Sequence, residues 1–456
     1  MSGLMQDVQG GDTVQAFIAR RRWLAEQGRR LDASAYGSGG LQARDLVMTG
    51  PWKRLRLDQA TSRMFYEARF SRTYVAATPT GVPYLTGSDM LLADLNGVSH
   101  ISRRKTENLA DLIVHTGWTL MTRSGTIGRT AYVRPEMHGM VASDDVIRLV
   151  PNADAVAPGY LFAFLTSATA QAMIRQRVYG SVVQHIEPHH IADLPVPLPD
   201  STVQERIHGL VVRAAEARTE AGCLLDEVAA HFNALVPPMP SVHEHARAEG
   251  IVRRSTLNYR LDAFHHVGWA AESGGLAGTP LGELGHVSRP GIVKRIYVER
   301  GVPFVSGIDV YQARVTFRER IRRLDAELAN ALVERGQILV QRSGQRYGLL
   351  GRPALVTQWM DGWATSEDLL NITLHSKEDI ASVFAFLRSD VGRRAVLRSS
   401  YGTSIPHLNP DGLAAVKVAT CPASLASKAQ SALDLREQAD ADEEQAIREV
   451  EAWLNC

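Results

Sequence analysis

Cysteine is nearly absent from this 456-residue chain: Cys223, Cys421 and Cys456 are odd in number and far apart, with no Cys-x-x-Cys pair and no histidine at zinc-ligand spacing. Neither a disulfide framework nor a structural zinc is indicated. No apolar run approaches the roughly 20 residues needed to span a bilayer. The opening residues also lack the charged-then-apolar order of a secretory signal. The expectation is a cytoplasmic protein without membrane contact. A charge excess of one sign is missing too, since 50 basic residues face 49 acidic ones for a net +1. That argues against a polybasic coat that holds any nucleic acid, and leaves local patches as the route to DNA. Lysine is scarce, six of the 50 basic residues, leaving 44 arginines. A GC-rich coding sequence would produce that excess, and so would readout of guanine and phosphate by guanidinium groups.

Catalytic motifs are also lacking. An adenine methyltransferase would carry an Asn/Asp-Pro-Pro-aromatic motif and a glycine-rich cofactor loop; Leu408-Asn-Pro-Asp411 is not that motif. A P-loop motor needs Gly-x-x-x-x-Gly-Lys-Ser/Thr, and Gly125-Thr-Ile-Gly-Arg-Thr130 has neither the spacing nor the lysine. No metal-nuclease constellation stands out. The chain is expected to be non-catalytic, with no cofactor of its own.

What the sequence does contain is a long internal repeat. Arg30-Leu-Asp-Ala33 returns as Arg260-Leu-Asp-Ala263, and Gly81-Val-Pro-Tyr-Leu-Thr-Gly-Ser-Asp89 as Gly301-Val-Pro-Phe-Val-Ser-Gly-Ile-Asp309. Arg123-Ser-Gly125 with Gly128-Arg129 matches Arg342-Ser-Gly344 with Gly351-Arg352, and Ala142-Ser-Asp-Asp-Val146 matches Thr365-Ser-Glu-Asp-Leu369. Phe162-Ala-Phe-Leu165 matches Phe384-Ala-Phe-Leu387, and Tyr179-Gly180, His185 and Pro188 match Tyr401-Gly402, His407 and Pro410. One duplication of more than about 200 residues means two whole domains rather than a solenoid. Within each copy, Trp118-Thr-Leu-Met121 and Gln337-Ile-Leu-Val340 read as strands, and 161–177 and 383–399 each read as one helix.

Each copy ends in a proline-free stretch of helical character. Over 201–235, Ile207, Val211, Ala214, Ala221, Leu225, Val228 and Phe232 follow a heptad seam that only Arg218 interrupts. Over 423–454, Leu433, Ile447, Val450 and Leu454 are the apolar anchors. The expectation is an α+β protein in which each of two related domains, a mixed sheet with packed helices, is followed by a long coiled-coil spacer helix, with pseudo-two-fold symmetry. The expected boundaries are an N-terminal helical segment over 1–30, including a helix at 14–27, a first domain over 31–200 and a central helix over 201–238. A second domain over 250–422 and a C-terminal helix over 423–456 follow.

These features resemble the specificity subunits of type I restriction-modification enzymes. The resemblance covers nearly the whole chain, with the two domains as target recognition domains. It rests on the tandem order, on Gly117-Trp-Thr-Leu-Met-Thr-Arg-Ser-Gly-Thr-Ile-Gly-Arg129, and on Tyr179-Gly-Ser-Val-Val-Gln-His-Ile186 followed by Leu194-Pro-Val-Pro-Leu-Pro199 and Gln204-Glu-Arg-Ile207. The second copy departs from this pattern, since Val416-Lys-Val-Ala-Thr-Cys-Pro422 has no Gln-Glu-Arg-Ile after it. The resemblance implies a subunit of a restriction or methylation-based phage-defence complex that binds double-stranded DNA. It implies a bipartite target, two methyltransferase (M) subunits docked on the helices and carrying S-adenosylmethionine, and an association extending to a restriction/translocase (R) subunit.

Direct readout needs side chains that bond base edges in pairs, and phosphate contact needs charge. The candidate DNA-binding residues of the first copy are Arg63, Arg69, Arg72, Tyr74, Arg103, Arg104 and Lys105; those of the second are Lys294, Arg295, Tyr297, Gln345, Arg346 and Tyr347. They lie where the copies differ most, as two readers of different half-sites should. Arg123 and Arg342, shared by both, fit turn structure better. His185 and His407 also recur without matching partners and read as structural. His189-His190 has no counterpart, and a metal site there is a minor alternative. Two other classes stay open: a self-contained DNA-processing nuclease with an unrecognised site, and a duplicated protein-interaction scaffold.

Overall fold

The computed structural model describes residues 21, 23, 39–177, 185–236, 254, 263–266, 276–402 and 404–455. The expected segment at 1–30 and helix at 14–27, apart from 21 and 23, lie outside the described residues, as do 30–33, 179–184, 260–262 and Cys456.

The first copy begins with α1 (Gly40–Thr49), β1 (Lys53–Arg56), α2 (Leu57–Ala60), β2 (Thr61–Phe65), β3 (Tyr74–Val75), β4 (Gly81–Leu85) and β5 (His100–Ser102). It continues through α3 (Leu109–Leu112), β6 (Thr119–Thr122), β7 (Thr130–Tyr132), β8 (Val141–Ala142) and β9 (Val146–Pro151). Then come α4 (Pro158–Thr166), α5 (Ala168–Gln176), α6 (Pro188–Ile191), β10 (Pro195–Leu198) and the long α7 (Ser201–Asn233). The second copy runs α8 (Ala263–His266), β11 (Thr279–Pro280), α9 (Leu281–Leu284), β12 (Gly285–Ser288), β13 (Tyr297–Val305), β14 (Glu319–Ile321) and α10 (Arg323–Leu328). It closes with β15 (Ile338–Gln341), β16 (Pro353–Leu355), β17 (Ala364–Thr365), β18 (Leu369–Leu374), α11 (Ile380–Arg388), α12 (Asp390–Arg398), α13 (Pro410–Ala414), β19 (Lys417–Val418) and the long α14 (Ala423–Leu454).

The chain divides into two compact units. The first takes the described residues of 1–90, 98–213 and 442–456, and the second those of 91–97 and 214–441. The two units hold matching sheets, the second without a counterpart of the separate strand β3. The first has a four-stranded antiparallel sheet β2-β9-β6-β7, a sheet β3-β5-β4-β8 and a pair β1-β10; the second has β12-β18-β15-β16, β14-β13-β17 and β11-β19. The repeat reaches down to register. Tyr84 and Leu85 pair in parallel with Val141 and Ala142, as Phe304 and Val305 do with Ala364 and Thr365. The central strands β6 and β15 are buried along their whole length, which is why they read as continuous apolar runs rather than as alternating ones.

The helices expected at 161–177 and 383–399 are each two helices. Ser167 and Ser389 sit in extended backbone (φ −61°, ψ 153° and φ −67°, ψ 159°) and their hydroxyls cap the next helix, accepting from the Ala170 and Gly392 amides. Apolar periodicity runs across the break because both halves face one core. Gly128 and Gly351, at φ 83° and 74°, turn the chain against α5 and α12; a Cβ on either would stand 2.8 Å from Ile174 and 2.9 Å from Val396.

α7 opens on Asp200, whose carboxylate accepts from the Val203 amide. Its heptad seam is buried at every position read from the sequence. In the first unit Ile207, Leu210 and Val211 of α7 and Ala446, Val450 and Leu454 of α14 close the core formed by α4, α5 and the large sheet. In the second unit the roles are taken by Ala221, Leu225, Val228 and Phe232 of α7 with Ala429, Ala432 and Leu433 of α14. Arg218, the interruption in the seam, is buried and paired with Asp440 of α14 at 3.2 Å. A polar pair in an apolar seam fixes register, because a slipped helix would strand both charges.

Candidate nucleic-acid interface

In the first unit the small sheet gathers most of the candidate residues. Tyr74, exposed on β3, pairs with Ile101 of β5, and Arg103, Arg104 and Lys105 continue from β5 as exposed side chains. Arg103 donates through Nε to the Gly81 carbonyl at 3.0 Å, which anchors the turn and leaves Arg104 and Lys105 as the outward charges. Arg72 stands just before β3. Its guanidinium forms an ion pair with Asp144 and lies 5.6 Å from the Tyr84 ring, so its charge is committed inside the unit. Arg69 is exposed. Arg63 belongs to the other sheet. It stacks 3.7 Å over Phe65 on β2 and stands 4.0 Å from Asp111 of α3.

The second unit presents two groups. Lys294, Arg295 and Tyr297 are exposed in the approach to β13 and on its first residue; Arg295 is 3.4 Å from Glu367 and 5.9 Å from the Phe304 ring. Gln345, Arg346 and Tyr347 form the loop between β15 and β16. Gln345 donates to the Ser404 carbonyl and Arg346 to the Ser400 hydroxyl, both at 3.2 Å, which braces the loop and turns Tyr347 outward at 72% exposure. A rigid loop with an exposed aromatic tip can stack on or wedge against bases without paying ordering entropy.

Arg123 and Arg342 carry the same architecture in both copies. The Arg123 carbonyl accepts from the Ile186 amide, and its guanidinium meets Asp145 at 3.6 Å and Glu187 at 3.4 Å over the Tyr66 ring. The Arg342 carbonyl accepts from the Leu408 amide, and its guanidinium meets Asp368 at 3.2 Å. His407 pairs through its backbone with Tyr401. His190 accepts the Glu187 amide on Nδ1, and burial together with neighbouring His189 pushes its pKa down. Among the described residues no group of three His, Cys, Asp or Glu is placed to hold a metal.

One buried arginine was not singled out in the sequence. Arg148 of β9 is fully buried and donates to the carbonyls of Leu112, Ala142, Ser143 and Val146, tying β8 and α3 to the large sheet. Burial lowers its pKa to about 10. Its signal was the charge inside Val146-Ile-Arg-Leu-Val150, an apolar strand in which only a satisfied guanidinium is tolerated.

No family model and no curated protein matches the chain. Solved structures do. The chain is similar to type I restriction-modification S subunits. The S subunit from M. genitalium matches at 14% identity and TM-score 0.32, over 89% of this chain and 95% of that one. The HsdS subunit from Thermoanaerobacter tengcongensis matches at 14% and 0.27, over 88% and 97%. A structure described as bearing on complex assembly and conformational transition of the type I R-M system matches at 13% and 0.27, over 87% and 98%. No described helix is long and apolar enough to cross a membrane.

Proposed function

We propose that this chain is a non-catalytic, sequence-specific DNA-recognition subunit of a type I-like restriction-modification or methylation-based phage-defence complex. Each unit reads one part of a bipartite target on double-stranded DNA. The long helices set the gap between the parts and dock two adenine methyltransferase subunits, which bring S-adenosylmethionine and the chemistry; an R subunit joins where the complex cleaves.

The observation that carries this reading is the pairing of a repeated scaffold with unrepeated loops. The two units share the order of the large sheet, the parallel register of the small one and the helix breaks, yet Tyr74 with Arg103-Arg-Lys105 in one and Lys294-Arg-Ile-Tyr297 with Gln345-Arg-Tyr347 in the other have no common sequence. Scaffold retained and loops replaced is what reading two different half-sites with one architecture requires.

Methylome sequencing of cells with and without the gene tests it. The expected result is one split motif, with two short defined parts and a fixed gap, methylated only when the chain is present. Cleavage of DNA by the purified chain with magnesium, or an unaltered methylome, would overturn it.

A further inference from the structure

The second unit carries an exposed aliphatic face that its fold does not use. Val293 and Ala326 point into a core with Val302, Phe304, Ile321 and Ala364. Their neighbours point out: Ile292, Leu324 and Leu328 are 80%, 62% and 77% exposed. The Gly291 amide donates to the Ala329 carbonyl at 2.7 Å, which sets the loop carrying Ile292 beside the end of α10, where Leu324 and Leu328 share a face at i, i+4. Ile296 and Tyr297 extend the same exposed stretch.

The surroundings are cationic. Residues 289–300 and 318–328 hold eight Arg or Lys against four carboxylates, and with Arg322 paired to Asp325, Arg323 to Glu327 and Arg295 to Glu367, a net excess of cations remains, in a chain whose total charge is +1. The segments β2–β3 and β5–α3 of the first unit are basic as well, but their one large exposed hydrophobic is Tyr74. A protein partner that docked on the repeated scaffold would find its patch in both units, and this patch is in one. Apolar side chains carried on segments with a net excess of cations match a duplex, in which phosphates take the charge and a base step takes the apolar tip.

We propose that Ile292, Leu324 and Leu328 form a wedge that enters a base step of the DNA bound by the second unit, unstacking and bending it. This rests on the DNA-recognition reading above. The wedge makes the second half-site depend on how easily one step deforms, so that unit would favour a flexible pyrimidine–purine step at a position where it makes no hydrogen bond.

The test uses the full chain with its co-purified partners and a duplex bearing the motif found by methylome sequencing, substituted with 2-aminopurine at successive positions of each half-site. The expected result is a rise in fluorescence at one step of one half-site on binding. That rise should be lost in the triple variant Ile292→Ser, Leu324→Gln, Leu328→Gln, with affinity down about tenfold to a hundredfold and the salt dependence unchanged. All three side chains are exposed, so the variant keeps the core, and an unchanged near-ultraviolet dichroism spectrum checks this. Binding without any fluorescence change, or a variant that loses its protein partners instead of the signal, overturns the wedge alone. Failure of the unsubstituted complex to bind the duplex overturns the DNA reading itself.

Discussion

The Asp94 carboxylate accepts from the Arg388 guanidinium at 2.6 Å and from Arg436 at 3.1 Å, in a cavity of about 430 Å³ within the second unit. Arg388 is 5% exposed and also meets Asp226 of α7 at 2.8 Å, and both guanidiniums share one carboxylate, Asp94, held by a short segment, 91–97, that lies within the first copy in sequence. Asp94→Ala should destabilise the second unit by about 3–5 kcal/mol, because it takes Arg436 from its Asp94 partner and leaves the buried Arg388 with Asp226 alone. Chemical denaturation of the variant measures this; a loss under about 1 kcal/mol would mean that water already screens the cluster.

The same carboxylate gives a pH dependence. Burial works to raise its pKa, but Arg436 and Arg388 outweigh burial and hold it well below the usual carboxylate range. A group depressed in the folded state stabilises fully above its unfolded value, near about 3.9, and loses that contribution as pH falls toward the folded value. The wild-type chain should therefore lose stability below about pH 4 more steeply than Asp94→Asn, as thermal melts across that range would show.

Ser167→Ala and Ser389→Ala each remove the cap of a helix that starts immediately after a break. Each should cost about 1 kcal/mol, or about 2–4 °C in the melting of its own unit. Ser389 also donates to the Phe386 carbonyl at 2.6 Å, which places its loss at the upper end. Differential scanning calorimetry separates the two.

Arg104→Ala together with Lys105→Ala should weaken DNA binding without changing the motif. If both touch phosphates, the slope of log affinity against log salt falls by about 1.8. Gln345→Ala should instead relax discrimination at one position and leave the slope alone. Anisotropy titrations at several salt concentrations distinguish charge contact from readout; an unchanged slope in the double variant removes the β5 extension from the interface.

Inserting one heptad into α7 and one into α14 keeps the seam in phase and adds about 10 Å to each helix. The gap in the methylated motif should grow by about three base pairs. An unchanged gap would show that the helices do not set the spacing.

The repeat was legible because its anchors are local: Gly81-Val-Pro-Tyr-Leu85 and Gly301-Val-Pro-Phe-Val305 became the same strand in the same register. The breaks at Ser167 and Ser389 were not, since a serine inside an apolar periodicity signals a cap only once the backbone is seen to leave the helix. Asp94 gave no signal either, because its partners lie 294 and 342 residues away. Among the candidate readers, Arg72 looked like a free cation until Asp144 was found against it, whereas Arg104 and Lys105 are as exposed as their sequence suggested.

Arg123 with Asp145 and Arg342 with Asp368 spend the scaffold's shared charges internally. The loops beside them can therefore change sequence and charge without breaking the pairs that hold the domain beneath. The segments that differ most between the two copies are then the ones whose change costs the fold least.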